Sequence, residues 1–397
     1  MTELPPHLYV ELGLERGYPR DAIINALARR DALIARGLVP ILSLGHLAHL
    51  TGVSYSYLRE IVERKRDPYI EISRAKHDGG RRLISSPEPP LMEVQRWILH
   101  RVLPSARNHP SSYAYQTGRS IIHCARAHLG ARWLVKMDLH DYFDTIAETR
   151  VYGIFRTLGY PPLVSFELAR ICTRLPLGRY VRRHRSTIYS SIPSYEVYAN
   201  GRLPQGAPTS GALANAATFK LDQKLARISS QYELTYTRYS DDLMFSGGAA
   251  FNRATAARFI DHVRNIVNDD KFIVHDKKTR IVPPGARHVV LGLLLTPEGI
   301  RLLPEFKRRI DVHIRGVDRF GLARHVAHRR FRSIFSFINH IDGCLAFAQG
   351  VEPEYAQHCM EQWNSALQRL KVRGLCPLDH TRRACVIDVS AGSTPEL

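Results

Sequence analysis

Leu234-Thr-Tyr-Thr-Arg-Tyr-Ser-Asp-Asp-Leu-Met-Phe-Ser-Gly247 is the stretch on which the reading of this chain turns. Two β-prone runs meet at the adjacent carboxylates Asp241 and Asp242, which predicts a hairpin with acids at its tip. Neighbouring carboxylates repel one another unless cations neutralise them. Two Mg²⁺ ions about 3.5–4 Å apart, held by such acids, support in-line attack at a phosphate. Alone the pair is weak evidence, because Asp is a common turn residue.

Two further segments sharpen it. Leu134-Val-Lys-Met-Asp138 is a short apolar, β-prone run ending in an acid. A strand beside the hairpin would bring Asp138 next to Asp241. Between them, Leu203-Pro-Gln-Gly-Ala-Pro-Thr-Ser-Gly-Ala-Leu-Ala-Asn215 reads as a Pro/Gly loop running into an Ala-rich helix. The three elements in this order are far more specific than any one of them.

Together these segments resemble the reverse transcriptase superfamily, and within it the bacterial retron type and related defence-associated enzymes. The resemblance covers roughly residues 70–350. Lys76 to Pro87, with Leu91 and Gln95 to Leu99, resembles the fingers motifs. Asp138 to Ile146 resembles motif A, Pro204 to Asn215 motif B, and Tyr239 to Asp242 motif C. Lys278-Thr279 resembles motif D, and Val289 to Gly292 the primer-grip region. The implied fold is α+β, a right-hand polymerase. Residues 1–69 form a helical N-terminal region, 70–130 and 151–200 the fingers, 131–150 and 201–300 an antiparallel palm, and 301–397 a helical thumb and tail.

The resemblance also implies roles. Asp138 and Asp241 hold two Mg²⁺ ions, with Asp242 a looser ligand or a contributor to the field. Lys76 and Arg82 meet the triphosphate, Arg81 being the alternative to Arg82, since guanidinium forks onto phosphate oxygens. Backbone amides at Asp141 and Tyr142 add phosphate contacts. Phe143, five residues after Asp138, matches the steric gate against a ribose 2′-hydroxyl, with Tyr142 the alternative ring. Gln205 and Gly206 face the incoming base pair, and Lys278 protonates pyrophosphate. The region from Cys124 to His128 and the basic run Gly178 to Arg185 supply RNA contacts through Arg126, His128, Arg182 and Arg183. The sequence departs from the retron pattern at Cys124-Ala-Arg-Ala-His128 and at Val290-Leu-Gly292. The implied partners are a structured RNA as template or primer, the DNA product, deoxynucleoside triphosphates and an effector protein. The alternatives are an untemplated or protein-primed DNA polymerase and a non-catalytic RNA-binding scaffold.

Composition agrees with a polyanion partner. The 397 residues carry 56 Lys+Arg against 37 Asp+Glu, a net charge of +19, which suits nucleic acid. No run is apolar and long enough to span a membrane, and Met1 to Gly17 lacks a signal-peptide core, so a cytoplasmic setting is expected. The six cysteines include no Cys-x-x-Cys pair and read as free thiols. Cys376-x3-His380-x4-Cys385, with His358 and Cys359 upstream, is spaced unusually for zinc.

Elsewhere, Arg20 to Arg36 predicts an amphipathic helix ending at Gly37, and Ser43 to Leu58 has a helix-turn-helix look that is given a packing role. Val289 to Leu295 predicts one buried strand. Phe306 to Ile310, Arg329 to Ile341 and Tyr355 to Arg373 predict helices. No carboxylate cluster suited to an RNase H module follows the palm.

Overall fold

The computed structural model describes residues 6–75, 81–176 and 200–369. Lys76, Arg182, Arg183, Cys376, His380 and Cys385 lie outside them. The fold is α+β with antiparallel sheets, and the chain divides into two compact units, Met1–Leu291 and Gly292–Leu397.

The first unit opens with helices α1 (Pro6–Glu15), α2 (Arg20–Ile34), α3 (Leu44–Thr51) and α4 (Tyr55–Val62). The Ser43 side chain caps α3 by accepting from the His46 N–H, and Gly52, at φ 70°, ends it. The α3–α4 pair has the helix-turn-helix outline. Yet Leu44, Leu47, Leu58, Ile61 and Val62 are all buried in the same core as the rest of the unit, the packing role expected of it.

A hairpin follows, β1 (Tyr69–Ala75) against β2 (Arg81–Pro87), and then α5 (Pro89–Arg101) and α6 (Ile121–Arg126). Strand β3 (Trp133–Asp138) leads into α7 (Tyr142–Thr145), α8 (Glu148–Leu158) and α9 (Pro162–Cys172). Beyond residue 200 come α10 (Ser210–Ala217), α11 (Phe219–Gln231), the hairpin β4 (Thr235–Tyr239) and β5 (Asp242–Gly247), α12 (Arg253–Asp269), β6 (Arg280–Val282) and β7 (Val289–Val290).

The central sheet has the order β4-β5-β3-β6 and every pairing in it is antiparallel. Period-two alternation sends Leu243 and Phe245 to one face, where Phe245 stacks on Tyr236 and meets Phe259 of α12 edge-on. Helix α12 supplies Ala256, Phe259, Ile260, Val263 and Val267, a buried stripe at helical spacing. The opposite face carries Asp242, Met244 and Ser246.

A buried charge cluster ties the helices around this sheet. Glu148, at the start of α8 and fully buried, receives Arg64 from beyond α4, Arg170 of α9 and the backbone N–H of Gly201. Gly201 opens the loop that leads to α10, so the cluster anchors that loop's root.

The second unit comprises the hairpin β8 (Leu293–Thr296) and β9 (Gly299–Leu302), then α13 (Pro304–Phe320), α14 (Leu322–His328), α15 (Ile334–Val351) and α16 (Pro353–Arg369). Its core joins Ile310, Ile314, Val317, Phe337, Ile341, Leu345 and Trp363. Two expectations need correction here. Val289 to Leu295 is not one strand, because Leu291 (φ 49°) and Gly292 (φ 80°) take left-handed conformations and break it in two. The stretch Arg329 to Ile341 is helical only from Ile334, after a turn in which Arg330 has φ 58°. Among the described residues no helix is long and apolar enough to cross a membrane.

Candidate active site

The register of β3 on β5 places Asp138 directly opposite Asp242, on the same face of the sheet. Asp241 sits in the two-residue turn between β4 and β5, where Ser240 adopts φ 59°. Main-chain bonds lock these acids together: Leu139 N–H donates to the Asp241 carbonyl (2.9 Å), and His275 N–H donates to the Asp138 carbonyl (2.7 Å). Burial raises the Asp241 carboxyl above the ordinary range, and Asp138 adds to it. Burial, then the charges of Asp241 and Asp138, lift Asp242 to about 6. Asp241 and Asp242, whose charged forms burial and neighbouring charge disfavour, stand with Asp138 at a site that a cation would stabilise.

Lys278 brings a positive charge to these acids. It ends a 3₁₀ turn, Asp276–Lys278, and its Nζ lies 2.8 Å from Asp138 Oδ1. That hydrogen bond raises the ammonium's pKa.

Among the described residues no group of three or more His, Cys, Asp or Glu side chains is arranged to hold a metal ion. Mg²⁺ takes one or two carboxylates and completes its shell with water and substrate phosphates. The all-oxygen donor set of Asp138, Asp241 and Asp242 fits that hard cation.

The hairpin tip rests on a buried guanidinium that the sequence did not single out. Arg238 of β4 and Asp222 of α11 are both fully buried and pair as a fork, Nε to Oδ1 at 2.8 Å and Nη2 to Oδ2 at 2.7 Å. The remaining Arg238 donors reach the Ser240 carbonyl (3.0 Å), the Tyr142 hydroxyl (3.0 Å), Asn215 Oδ1 (3.1 Å) and Ser112 Oγ (3.1 Å). One side chain thus joins the acid-bearing turn to α7, α10 and α11. The only sequence signal was Arg238 on the inward phase of a strand, where a charge demands a partner.

The other expected residues fall as follows. Asp141, at φ 46°, precedes α7, so its amide and that of Tyr142 open a first helical turn, where N–H groups lack intrahelical partners. Phe143 is half-buried and meets the Tyr142 and Tyr115 rings edge-on. Tyr142 cannot serve as the alternative gate ring. It is buried, with its hydroxyl on Thr218 and Arg238 and its ring against Phe272. Gln205 and Gly206 lie against β2: Ser85 N–H donates to the Gln205 carbonyl (2.7 Å), and a Cβ on Gly206 (φ 115°) would meet Ile84 at 2.6 Å. Arg82 is exposed on β2, paired in register with Arg74.

Arg126 is exposed. His128 is a correction. It is buried, with Nδ1 on Ser246 Oγ and Nε2 on Thr237 Oγ1, both at 2.7 Å, and burial lowers it to about 4. It braces α6 to the sheet as a neutral ring and presents nothing to a ligand. The described cysteines, Cys124, Cys172, Cys344 and Cys359, are free thiols.

Residues 74–299, more than half of the chain, match the family Reverse transcriptase (RNA-dependent DNA polymerase). The chain is 34% identical over 282 residues to the Retron Mx162 reverse transcriptase of Myxococcus xanthus, covering 68% of this chain and 57% of that one. It is 31% identical over 350 residues to the Retron Mx65 reverse transcriptase of the same organism, covering 85% and 75%. It is 27% identical over 318 residues to the Retron Ec86 reverse transcriptase of Escherichia coli, covering 80% and 87%. Paired acids on β3 and β5, an extended family match and these relatives agree: the chain belongs to the reverse transcriptase family and is of the retron type.

Proposed function

We propose that this chain copies a specific structured RNA into DNA by metal-assisted nucleotidyl transfer. The observation that carries the proposal is the β3–β5 register, which sets Asp138 opposite Asp242 with Asp241 in the adjoining turn. In the reaction the primer 3′-hydroxyl oxygen bonds to the α-phosphorus of a deoxynucleoside triphosphate. The bond to the bridging oxygen breaks, pyrophosphate leaves, and the hydroxyl proton is lost.

Asp138, Asp241 and Asp242 would hold two Mg²⁺ ions, which when bound activate the hydroxyl and neutralise the leaving charge. Lys278, whose Nζ lies beside Asp138, would give a proton to pyrophosphate. The amides of Asp141 and Tyr142, with Lys76 and Arg82, bind the triphosphate. Phe143 excludes the ribose 2′-hydroxyl. Gln205 and Gly206 set the floor beneath the templating pair.

In this reading the β1–β2 hairpin and its neighbours act as fingers, the central sheet as palm and the second unit as thumb. Arg126, Arg182 and Arg183 contact RNA phosphate, and the +19 charge supports that binding. The setting is a cytoplasmic, retron-like antiphage system in which an effector protein acts alongside. The retron relatives support the retron-like part of this setting.

The test is to purify the chain from its native host and sequence the nucleic acid it carries. One RNA species with its complementary DNA is expected. Random cellular RNA without complementary DNA would refute the reading and favour an untemplated polymerase or a scaffold.

A further inference from the structure

Tyr115 lies between α5 and α6, in Ser112-Tyr-Ala-Tyr-Gln116, and neither the motifs nor the reaction above give it a role. Three independent observations single it out. It adopts φ 57°, a left-handed backbone that an aromatic residue rarely takes and that the surrounding structure must impose. Its hydroxyl lies 3.1 Å from Ser240 Oγ, in the turn that carries Asp241. Its ring meets the Phe143 ring edge-on, with centroids 6.2 Å apart.

The fit around that ring is close. A Cβ on Gly211, in the first turn of α10, would come within 2.4 Å of the Tyr115 ring, so only glycine lets the ring lie there. The ring is nonetheless half open, at 53% exposed, and a large aromatic held in a strained conformation with an open face is not a core residue. Its neighbours hold the backbone as well: Tyr113 N–H donates to the Arg238 carbonyl at 2.8 Å, and Asn215 Nδ2 donates to the Ala114 carbonyl at 2.7 Å.

We propose that Tyr115 is the positioning residue of the sugar-discriminating wall. Its ring braces Phe143, and its hydroxyl ties that brace to the Ser240–Asp241 turn. One side chain thereby fixes the spacing between the gate ring and the carboxylates. This deepens the polymerase reading and rests on it. A gate works only if its ring cannot yield: a 2′-hydroxyl adds one oxygen atom, and a ring free to rotate would admit it. Phe143 has Tyr142 behind it, fixed in the core, and Tyr115 on its flank. Removing Tyr115 leaves the flank open.

The experiment measures single-nucleotide incorporation from a DNA primer on an RNA template, and reads the ratio of kcat/KM for deoxynucleotide over ribonucleotide. Tyr115→Asn removes the ring while tolerating the left-handed backbone. Tyr115→Phe keeps the ring and removes only the tie to Ser240. Tyr115→Asn should lower the ratio about tenfold or more, chiefly by raising the ribonucleotide's kcat/KM. Tyr115→Phe should lower it by a smaller factor. In a Phe143→Ala background neither substitution should change the ratio further, because Tyr115 acts through Phe143.

A Tyr115→Asn enzyme that loses rate equally with both nucleotides would overturn the inference and leave Tyr115 as mere support. So would an undiminished effect in the Phe143→Ala background. Absence of incorporation by the wild-type chain would instead overturn the polymerase reading itself, and this inference with it.

Discussion

Removing the Asp222 carboxylate should uncouple the acid-bearing hairpin from α11. Asp222→Ala leaves the Arg238 guanidinium fully buried with no counter-charge, and it also takes the acceptor from the Tyr236 hydroxyl, 2.8 Å away. Breaking a buried pair by removing one partner costs about 3–5 kcal/mol. The orphaned hydroxyl adds roughly 1 kcal/mol or more. The total is a large fraction of the about 5–15 kcal/mol that holds a folded domain.

Urea unfolding, followed by hydrogen exchange in peptides spanning residues 235–247, reads this loss where it arises. The double variant Asp222→Leu with Arg238→Met supplies the control. It removes both charges from the core, so much of the stability should return. Activity should not return, because the Ser240 carbonyl has lost its guanidinium donor and the Asp241 turn its support. Two results would refute this reasoning. One is an Asp222→Ala protein within about 1 kcal/mol of wild type. The other is a double variant as unstable as the single, since the cost could then not lie in the unpaired charge.

Phe143→Ala should raise ribonucleotide incorporation relative to deoxynucleotide in the same primer-extension assay, whereas an unchanged ratio would place the gate elsewhere. Lys278→Ala should lower kcat by about 10²–10⁴ if the lysine is the general acid, with primer–template affinity unchanged in a filter-binding titration. Glu167, buried in α9 with Oε2 lacking a hydrogen-bond partner among the described residues, is lifted by burial from 4.5 to about 7. A carboxyl raised in the folded state favours folding below the unfolded value and loses that favour as pH rises through 7. Glu167→Gln should therefore stabilise the fold at pH 8, by at most on the order of 3 kcal/mol, and leave Tm unchanged near pH 4.

What the sequence disclosed and what it concealed divide along a physical line. The β4–β5 hairpin and the Asp138 strand were legible because β-prone runs bounded by acids are local signals, and local pattern predicts local structure. The α3–α4 pair was legible for the same reason, through the Ser43 cap and Gly52. Pairings across long separations were not legible. Arg238 and Asp222 are 16 residues apart, but Arg238 and Ser112 are separated by 126, and no periodicity announces such a meeting. His128 read as an RNA contact because the segment Cys124 to His128 lies where the resemblance implies RNA recognition. The structure turns it inward, where Ser246 and Thr237 satisfy both ring nitrogens. Tyr142 and Phe143, adjacent in sequence, could be told apart only once α7 had placed one ring in the core and the other at its edge. The break at Leu291 was hidden by an apolar run that gives no turn signal except Gly292.

The central claim is that Asp138, Asp241 and Asp242 form one metal-dependent polymerising centre. The most direct test is the isosteric change Asp241→Asn, assayed for Mg²⁺-dependent deoxynucleotide incorporation on an RNA template, beside RNA affinity measured on the same preparation. The account predicts that incorporation is abolished while RNA affinity stays near the wild-type value, since the substitution keeps the shape of the turn. Incorporation at the wild-type rate by Asp241→Asn would contradict it.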